Sequence, residues 1–516
     1  MQCKKQHNNY TCSATISTIG KQIGFYEFMR YCLIFSRMPL FYLVFLLTLL
    51  GSTVTHAANT HQALTDAVVK IYVTSKSSSS YAPWNSDNVT SSGSGFIIEG
   101  NRILTNAHVV SDDIFVEIQR DGNPKRYPAT VAAISHELDV AVLQVKDESF
   151  FTKGKPLALG ELPDVHQEVL VYGYPVGGDT LSTTRGIVSR IDYLAYSHSG
   201  LSYQVIQIDA AVNAGNSGGP ALVNGQVVGI VMQKAEGDGE NIGYIIPSTM
   251  VKRLLADLDD GKYDGFPAFS AQVENLLNPT LKKKYQLTEQ QTGVLVTRVC
   301  ANTNAETVLK TGDIITHIDG KPIDDDGTTP LNEQKTIYFL HYIDMHQIGE
   351  TVELGVVRDG KPLNVQLILN EPDTSSYTYD QDPRYFIYGG FVFVANRIAE
   401  RCLTRERYDE SKEKDKKDDV MIAQVLANTA NIGFHDLSAT TIEQINGQRF
   451  NTFEDFYKIL KQTPDSFVEL TDNSGYKIAI DRKMAETEHQ ELMIKYRIQQ
   501  DHSPEIDYWN KMLAEH

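Results

Sequence analysis

Cysteine, positive charge and long apolar runs are all scarce in this sequence of 516 residues. Of its five cysteines, only Cys300 and Cys402 lie beyond the first sixty residues. Two cysteines in so long a chain exclude a disulfide-rich scaffold and a cysteine-based metal cluster. They leave either one disulfide bond or two unpaired thiols, and the unpaired form is the simpler expectation.

Positive charge is outweighed throughout the chain. Lysine and arginine together number 47 against 65 aspartates and glutamates, which gives a formal net charge of −18. No basic stripe offsets this balance, so the sequence excludes a nucleic-acid partner. With 41% hydrophobic and 22% charged residues the composition is that of a soluble protein, and the length predicts roughly three domains.

One uncharged apolar run, Met38–Gly51, follows Arg30 and Arg37 and precedes the small residues of "STVTHAANT". A basic segment, a short apolar run and small residues predict an export signal that is cleaved after Ala57. The run has about 14 residues where a spanning helix needs about 20, although a membrane anchor is the alternative interpretation. We therefore expect a leader over residues 1–57, no stable membrane span after its removal, and an exported, periplasmic protein.

Residues 58–262 carry the pattern of a β domain. Short runs such as "AVVKIYVTS" and "DVAVLQV" alternate apolar and polar positions and are separated by Gly, Asn, Asp and Ser. Runs of this length and period predict an all-β sandwich or barrel. The amphipathic segment "PSTMVKRLLADLDDG" predicts a helix that closes the domain.

Two later blocks are distant copies of each other and predict tandem modules over residues 263–371 and 385–485, followed by a tail over 486–516. The first contains "TGVLVTRV" and "HIDGKPI", and the second contains "DVMIAQV" and "EQINGQRF". Each block combines strands ending in Asp-Gly or Asn-Gly with a helix and a hairpin. A repeat near one hundred residues is typical of tandem modules, whereas solenoid repeats are shorter.

The stretch "IDAAVNAGNSGGPAL" surrounds Ser217 with glycines. A serine hydroxyl becomes a nucleophile when a base takes its proton and donors receive the oxyanion. Gly215 and Gly218 leave the backbone free to aim the amides of Gly215 and Ser217 into one cavity. A glycine-rich hairpin turn is the alternative for this stretch taken alone.

Candidate partners for Ser217 occur earlier in the same β domain. His108 follows the apolar run of "GFIIEGNRILTNAHVV", and Asp139 begins the apolar strand of "HELDVAVLQV". The order His, Asp, Ser within one β domain is that of chymotrypsin. Four other residues compete for these roles but lie in polar loops or too close to the serine: His136, His166, His198 and Asp209.

Eight motifs in order resemble the HtrA/Deg serine proteases over roughly residues 61–485. They include "GSGFII", "LTNAHVV", "DVAVLQV" and "QIDAAVNAGNSGGPAL", and "GFPAFSAQVENLLNP" and "YFIYGGFVFV" are most similar to the long plant-type members and their bacterial relatives. The resemblance implies a mainly β protein, with a chymotrypsin-like double β-barrel protease domain followed by two α+β PDZ domains.

The resemblance also implies the roles of individual residues. Ser217 would be the nucleophile, His108 the general base and acid, and Asp139 the residue that orients His108. The oxyanion loop would consist of Gly215, Asn216 and Ser217. The loop of "SRIDYLAYSHSGLSYQV" would be the family's regulatory loop. A modest apolar specificity pocket would involve Ile242, Gly243, Tyr244 and Ile245, favouring small or medium aliphatic side chains.

The implied activity is ATP-independent endoproteolysis of unfolded or damaged proteins through an acyl-enzyme, without a metal or a cofactor. The implied assembly is a homotrimer or a multiple of trimers. A chaperone or scaffold that binds misfolded chains, with latent proteolysis, is the alternative, and a site-specific protease activated by C-terminal peptides is a third. The first module carries Ala268–Ala271 where relatives have a glycine in the carboxylate-binding loop, whereas the second carries Gly389 and Gly390.

Overall fold

The computed structural model describes residues 4–6, 9–11, 64–176, 178–234, 242–373, 379–397 and 418–514. The apolar run predicted as part of a leader lies outside these ranges. The segment before residue 64 forms its own unit and contributes one antiparallel hairpin, β1 (Lys4–Gln6) and β2 (Asn9–Thr11). No helix in the described part of the chain is both long and apolar enough to cross a bilayer.

Six strands close a first barrel in the order β3-β4-β5-β8-β7-β6. Its strands are β3 (Val68–Ser78), β4 (Ser86–Ile98), β5 (Arg102–Thr105), β6 (Asp113–Arg120), β7 (Arg126–Ser135) and β8 (Val140–Val145). Alternate residues of β3, namely Val69, Ile71 and Val73, are buried in the barrel interior. This is the period of two that the sequence predicts for a strand with one face in a core.

Six further strands close a second barrel in the order β10-β11-β14-β13-β12-β9. They are β9 (Glu168–Gly173), β10 (Ser182–Ala195), β11 (Ser202–Ile208), β12 (Pro220–Val223), β13 (Gln226–Lys234) and β14 (Gly243–Pro247). The predicted closing helix follows as α2 (Ser248–Asp257), after a one-turn helix α1 (Ala107–Val110) in the first barrel. Two closed barrels confirm the double-barrel prediction.

The two barrels share one apolar seam. Phe96 and Leu104 of the first barrel belong to the same buried cluster as Tyr172 and Val205 of the second, together with Met250 of α2. Burying such large apolar side chains contributes roughly 1.5–3 kcal/mol each. Packing in this shared cluster, the seam, therefore fixes the relative positions of the loops that leave the two barrels beside it.

The first module is a sheet in the order β15-β16-β17-β21-β22, with β18 paired to β17 and a separate ribbon of β19 and β20. Its elements are β15 (Ala271–Asn275), α3 (Pro279–Lys284), β16 (Val294–Val299), α4 (Asn304–Val308), β17 (Ile314–Ile318), β18 (Lys321–Pro322), β19 (Thr328–Asn332), β20 (Lys335–Tyr338), α5 (Leu340–Asp344), β21 (Thr351–Arg358) and β22 (Lys361–Ile368). Within the described residues β15 pairs only with β16, so β15 is an edge strand.

The second module repeats this order with one strand added at its start, β23-β24-β25-β26-β27-β28. Its strands are β23 (Arg384–Tyr388), β24 (Phe391–Arg397), β25 (Asp418–Val425), β26 (Thr440–Ile445), β27 (Phe467–Asp472) and β28 (Lys477–Asp481), and α6 (Phe453–Gln462) precedes β27. The five-strand order common to both modules confirms the tandem repeat.

Gly389 and Gly390 form the turn between β23 and β24, with φ of +56° and +83°. Two consecutive left-handed residues define a type I′ hairpin turn, which explains why both are glycine. The resulting hairpin lays β23 along the edge of β24. In the second module Gly389 and Gly390 therefore form a hairpin turn. In the first module the corresponding edge strand, β15, has no added strand among the described residues.

The predicted tail is helical and packs into the second module. Helix α7 (Arg482–Thr487) leads from the predicted module into the tail, and α8 (His489–Tyr496) and α9 (Glu505–Ala514) lie within the tail. Ile506 and Trp509 of α9 are buried in the same cluster as Phe453 of α6. The domain boundaries themselves stay predictions, but these contacts join the tail to the core of the module.

Cys300 is 2% exposed and takes part in a disulfide bond. The expectation of unpaired thiols is therefore wrong for this residue. Its partner cysteine is not among the described residues. Spacing in the sequence carries no signal for this pairing, because disulfide geometry depends on the folded distance between the two residues.

Candidate active site

The loop that carries Ser217 connects β11 to β12 and contains a tight turn. The amide of Asn216 donates to the carbonyl of Asn213 at 3.0 Å, and Gly215 has φ of +94°. A left-handed third residue excludes a type I turn and matches type II. A Cβ at Gly215 would lie 2.4 Å from the carbonyl oxygen of Tyr174, so the position accepts only glycine.

Two carbonyl groups next to the glycine and the serine of this loop are held by hydrogen bonds. Val176 N–H donates to Ala214 O at 2.8 Å, and Gly219 N–H donates to Asn216 O at 2.9 Å. In a trans peptide the N–H points away from the carbonyl of the same unit. The N–H groups of Gly215 and Ser217 therefore point away from these partners, and neither donates a hydrogen bond within the described residues.

Ser94 of the first barrel forms hydrogen bonds across the seam to the loop that carries Ser217. Its hydroxyl donates to the carbonyl of Gly215 at 2.6 Å, and its backbone N–H donates to the carbonyl of Ser217 at 2.9 Å. The Tyr174 N–H donates to the same hydroxyl at 2.8 Å, and Ser94 is fully buried. Ser94 lies in "GSGFII", but its role is not readable from that motif, since its partners are 80 or more residues away.

Strand pairing brings His108 and Asp139 together. β5 pairs with β8, His108 lies in α1 directly after β5, and Asp139 directly precedes β8. The backbone N–H of His108 donates to Oδ1 of Asp139 at 2.8 Å, and its Nδ1 lies 2.8 Å from Oδ2. Because an ionised carboxylate only accepts hydrogen bonds, Nδ1 carries the proton and Nε2 is left to act as a base.

Asp139 has φ of +60° and is 0% exposed. Burial lowers the pKa of His108, but the negative charge of Asp139 and its hydrogen bond outweigh burial, so the pKa is raised above 6.5. The imidazole side chain is 31% exposed, so a substrate can reach it. In this pair one ring nitrogen of the imidazole is fixed by a carboxylate that is sealed from water.

The Ser217 hydroxyl donates to the carbonyl of Met232 on β13 at 3.2 Å. The hydrogen bonds of the described residues do not join Ser217 to His108. Hydrogen bonds between catalytic groups are often long or misaligned before substrate binds. Ser217 is near the neighbour of His108, since a Cβ at Gly93 would lie 2.7 Å from a methyl group of Val109 and 3.4 Å from the Ser217 carbonyl oxygen.

The competing residues have other roles. Asp209 accepts from the N–H of Ile187 at 2.5 Å and so supports β10. His136 and His198 lie 3.1 Å apart through Nδ1 and Nε2, and the ring of His198 is 6.1 Å from that of His108. His198 therefore lies beside the pair without contacting Asp139 through a hydrogen bond.

The candidate pocket residues divide between surface and core. Ile245 is 0% exposed and belongs to the core of the second barrel, while Ile242 and Tyr244 are half-buried. A Cβ at Gly243 would lie 2.6 Å from a methyl group of Val212. Residues 235–241, which precede this segment, lie outside the described ranges, so the composition of the pocket stays a prediction.

The segment between the two modules, residues 379–383, crosses the protease surface beside His108. The Tyr379 ring stacks on that of His198 at 4.2 Å, and Asp380 Oδ2 accepts from His136 at 2.8 Å. Lys76 of β3 donates to Asp382 at 2.5 Å. A cavity of about 860 Å³ opens there, lined by His108, this segment and the second module.

Family models match the same regions. Residues 93–230 match a trypsin-like peptidase domain, and residues 285–369 and 374–505 each match a PDZ domain. Protease Do-like 4, mitochondrial, of Arabidopsis thaliana is 36% identical over 393 residues, which cover 74% of each chain. Protease Do-like 2, chloroplastic, of the same plant is 34% identical and covers 88% of this chain and 77% of its own.

Solved structures agree on the fold. A serine-to-alanine variant of an HtrA-type protease with a decapeptide superposes with a TM-score of 0.50 and is 22% identical. The match covers 61% of this chain and 96% of that chain.

Proposed function

The chain belongs to the Do-like, or HtrA, family of serine proteases and is a serine endopeptidase, and from this premise we propose that it degrades unfolded or damaged proteins without ATP. The single observation that carries the proposal is the His108–Asp139 pair, an imidazole oriented by a fully buried carboxylate.

In the proposed mechanism Ser217 Oγ attacks the scissile carbonyl while Nε2 of His108 takes its proton. The amides of Gly215 and Ser217 receive the oxyanion, and Asn216 holds the turn between them. His108 then gives the proton to the leaving amine, which departs and leaves an acyl-enzyme. Water, activated by His108, hydrolyses the ester and restores the serine.

The preference for unfolded chains follows from the crowding around His108. Residues 381–383 and the second module line the cavity beside the imidazole. An extended strand can enter such a cleft and pair along a sheet edge, whereas a folded domain cannot deliver its backbone there. An apolar pocket at Ile242 and Tyr244 would favour aliphatic side chains before the scissile bond.

We expect one substrate protein to be cleaved at very different rates in its native and unfolded forms. A stably folded protein exposes about one molecule in a thousand or fewer as unfolded chain, so cleavage of the native form should be slower by about a thousandfold. The measurement compares a disulfide-intact globular protein with its reduced and blocked form, without nucleotide and with a chelator present. Equal rates for the two forms would contradict the proposal.

Replacing Ser94 with alanine should lower kcat by about a hundredfold with little change in KM. The change removes the donor that holds the Gly215 carbonyl, and losing one oxyanion contact costs about that much. Steady-state kinetics on a short peptide measures it, with Ser92→Ala on the same strand as the matched control. A kcat within twofold of the parent would exclude this role for Ser94.

Compartment and assembly are further parts of the proposal. The basic and apolar leader expected over residues 1–57 supports export to the periplasm, while two relatives are named for the mitochondrion and the chloroplast. A homotrimer or multiple of trimers is the assembly that the family resemblance favours.

A further inference from the structure

Asp139 accepts a third hydrogen bond that the triad alone does not explain. Tyr196, directly after β10, donates its hydroxyl proton to Oδ2 of Asp139 at 2.6 Å. The same oxygen lies 2.8 Å from Nδ1 of His108, and Tyr196 is 3% exposed. A buried carboxylate needs such donors, because desolvation otherwise disfavours its charge.

Tyr196 acts as a donor throughout the working pH range. Burial and then the negative charge of Asp139 raise the pKa of Tyr196 far above its usual value. The phenol therefore keeps its proton and donates it to the carboxylate. Tyr196 and His108 both hydrogen-bond to Oδ2 of Asp139. The Tyr196 hydroxyl therefore fixes the position of this oxygen and reduces the negative charge that the oxygen directs at the imidazole.

The loop around Tyr196 holds the hydroxyl in place. Tyr196 N–H donates to Leu201 O, and Gly200 N–H donates to Tyr196 O, each at 2.8 Å. The ring packs edge-on against Tyr203 at 6.0 Å. Two residues on, His198 stacks against Tyr379, whose hydroxyl donates to the His198 carbonyl.

We propose that Tyr196 is a positioning residue for the His108–Asp139 pair, an inference that rests on the proposed triad. The hydroxyl of Tyr196 also lies 3.5 Å from Nδ1 of His108, which is not the nitrogen that exchanges a proton with serine and substrate in the proposed mechanism. It sets the position and the charge density of Oδ2, and through that oxygen the orientation and basicity of His108.

The test is Tyr196→Phe, which keeps the ring and removes the donor. Loss of a hydrogen bond to a charged group should lower kcat about tenfold with KM unchanged. Because Oδ2 then directs more charge at the imidazole, the acid limb of the pH profile of kcat/KM should move to higher pH.

The other titratable groups near His108 do not produce this shift. Burial lowers the pKa of His198 to about 4, so its ring is neutral over the measured range. His136 lies beyond it and faces Asp380. Neither contact involves the hydroxyl that the substitution removes.

Tyr203→Phe is the matched control, because its hydroxyl faces the Leu138 carbonyl and the Met232 sulfur. Thermal unfolding of both variants checks the fold. A lower kcat with an unmoved acid limb, or an equal change in Tyr203→Phe, would assign Tyr196 to packing and overturn the inference. Activity surviving in Ser217→Ala would instead refute the proposed triad, so the two failures are distinguishable.

Discussion

Replacing Ser217 with alanine is expected to lower the rate of peptide-bond hydrolysis by about a millionfold. The methyl group cannot attack the scissile carbonyl, so no acyl-enzyme forms, and only binding and the oxyanion donors remain. The fold should persist, because Ser217 Oγ makes only one hydrogen bond within the described residues, to the Met232 carbonyl.

Degradation of an unfolded protein, followed by gel and by mass spectrometry, measures this loss. Ser91→Ala is the matched control, since Ser91 is exposed on β4, and it should retain the parent rate. The inactive variant also separates the two main hypotheses, because a chaperone would still suppress aggregation of a denatured client. Undiminished cleavage by Ser217→Ala would remove the serine mechanism altogether.

Asp139→Asn is expected to lower kcat by about ten thousandfold. An amide has only one acceptor oxygen, whereas Asp139 accepts from His108 N–H, His108 Nδ1 and the Tyr196 hydroxyl. One of these donors must then face the NH₂ group, and a rotated amide favours the wrong imidazole tautomer. His108 would lose the orientation that directs Nε2 to the serine.

The pH profile supplies a second readout for this variant. His108 must be neutral to accept a proton, so activity is lost as pH falls through its pKa, which Asp139 holds above 6.5. Without the carboxylate charge, burial dominates and lowers the pKa of His108, so the acid limb should move to lower pH. This is the direction opposite to that expected for Tyr196→Phe.

Asp209→Asn is the control, because Asp209 supports β10 through the Ile187 N–H and an amide oxygen can accept the same bond. It should retain most of the parent activity. If Asp209→Asn were as damaging as Asp139→Asn, the assignment of the orienting acid would be wrong.

Local patterns predicted a β domain, as a sandwich or a barrel, and the tandem modules, whereas the double barrel was implied by the family resemblance. Alternation in β3 places Val69, Ile71 and Val73 in one core, and this period is visible in sequence because it follows from strand geometry. The predicted roles of Ser217, His108 and Asp139 depend on motif order, and strand pairing explains why His108 and Asp139 meet.

Contacts between distant segments could not be predicted. Ser94 meets Gly215 across 121 positions of sequence, and Tyr196 meets Asp139 across 57. Neither residue type nor spacing marks these pairs, since the hydrogen bonds exist only after both barrels close. The glycine pair of the second module fits the type I′ turn between β23 and β24, which needs two left-handed residues.

Because Ser94 holds the Ser217 loop, the proposed chemistry depends on both barrels together rather than on either one. Ser94 belongs to the first barrel, and Ser217 with the proposed oxyanion donors belongs to the second. A substitution that rotates one barrel against the other would abolish activity while both barrels stay folded. Activity therefore depends on the relative orientation of the barrels as well as on the identity of the side chains.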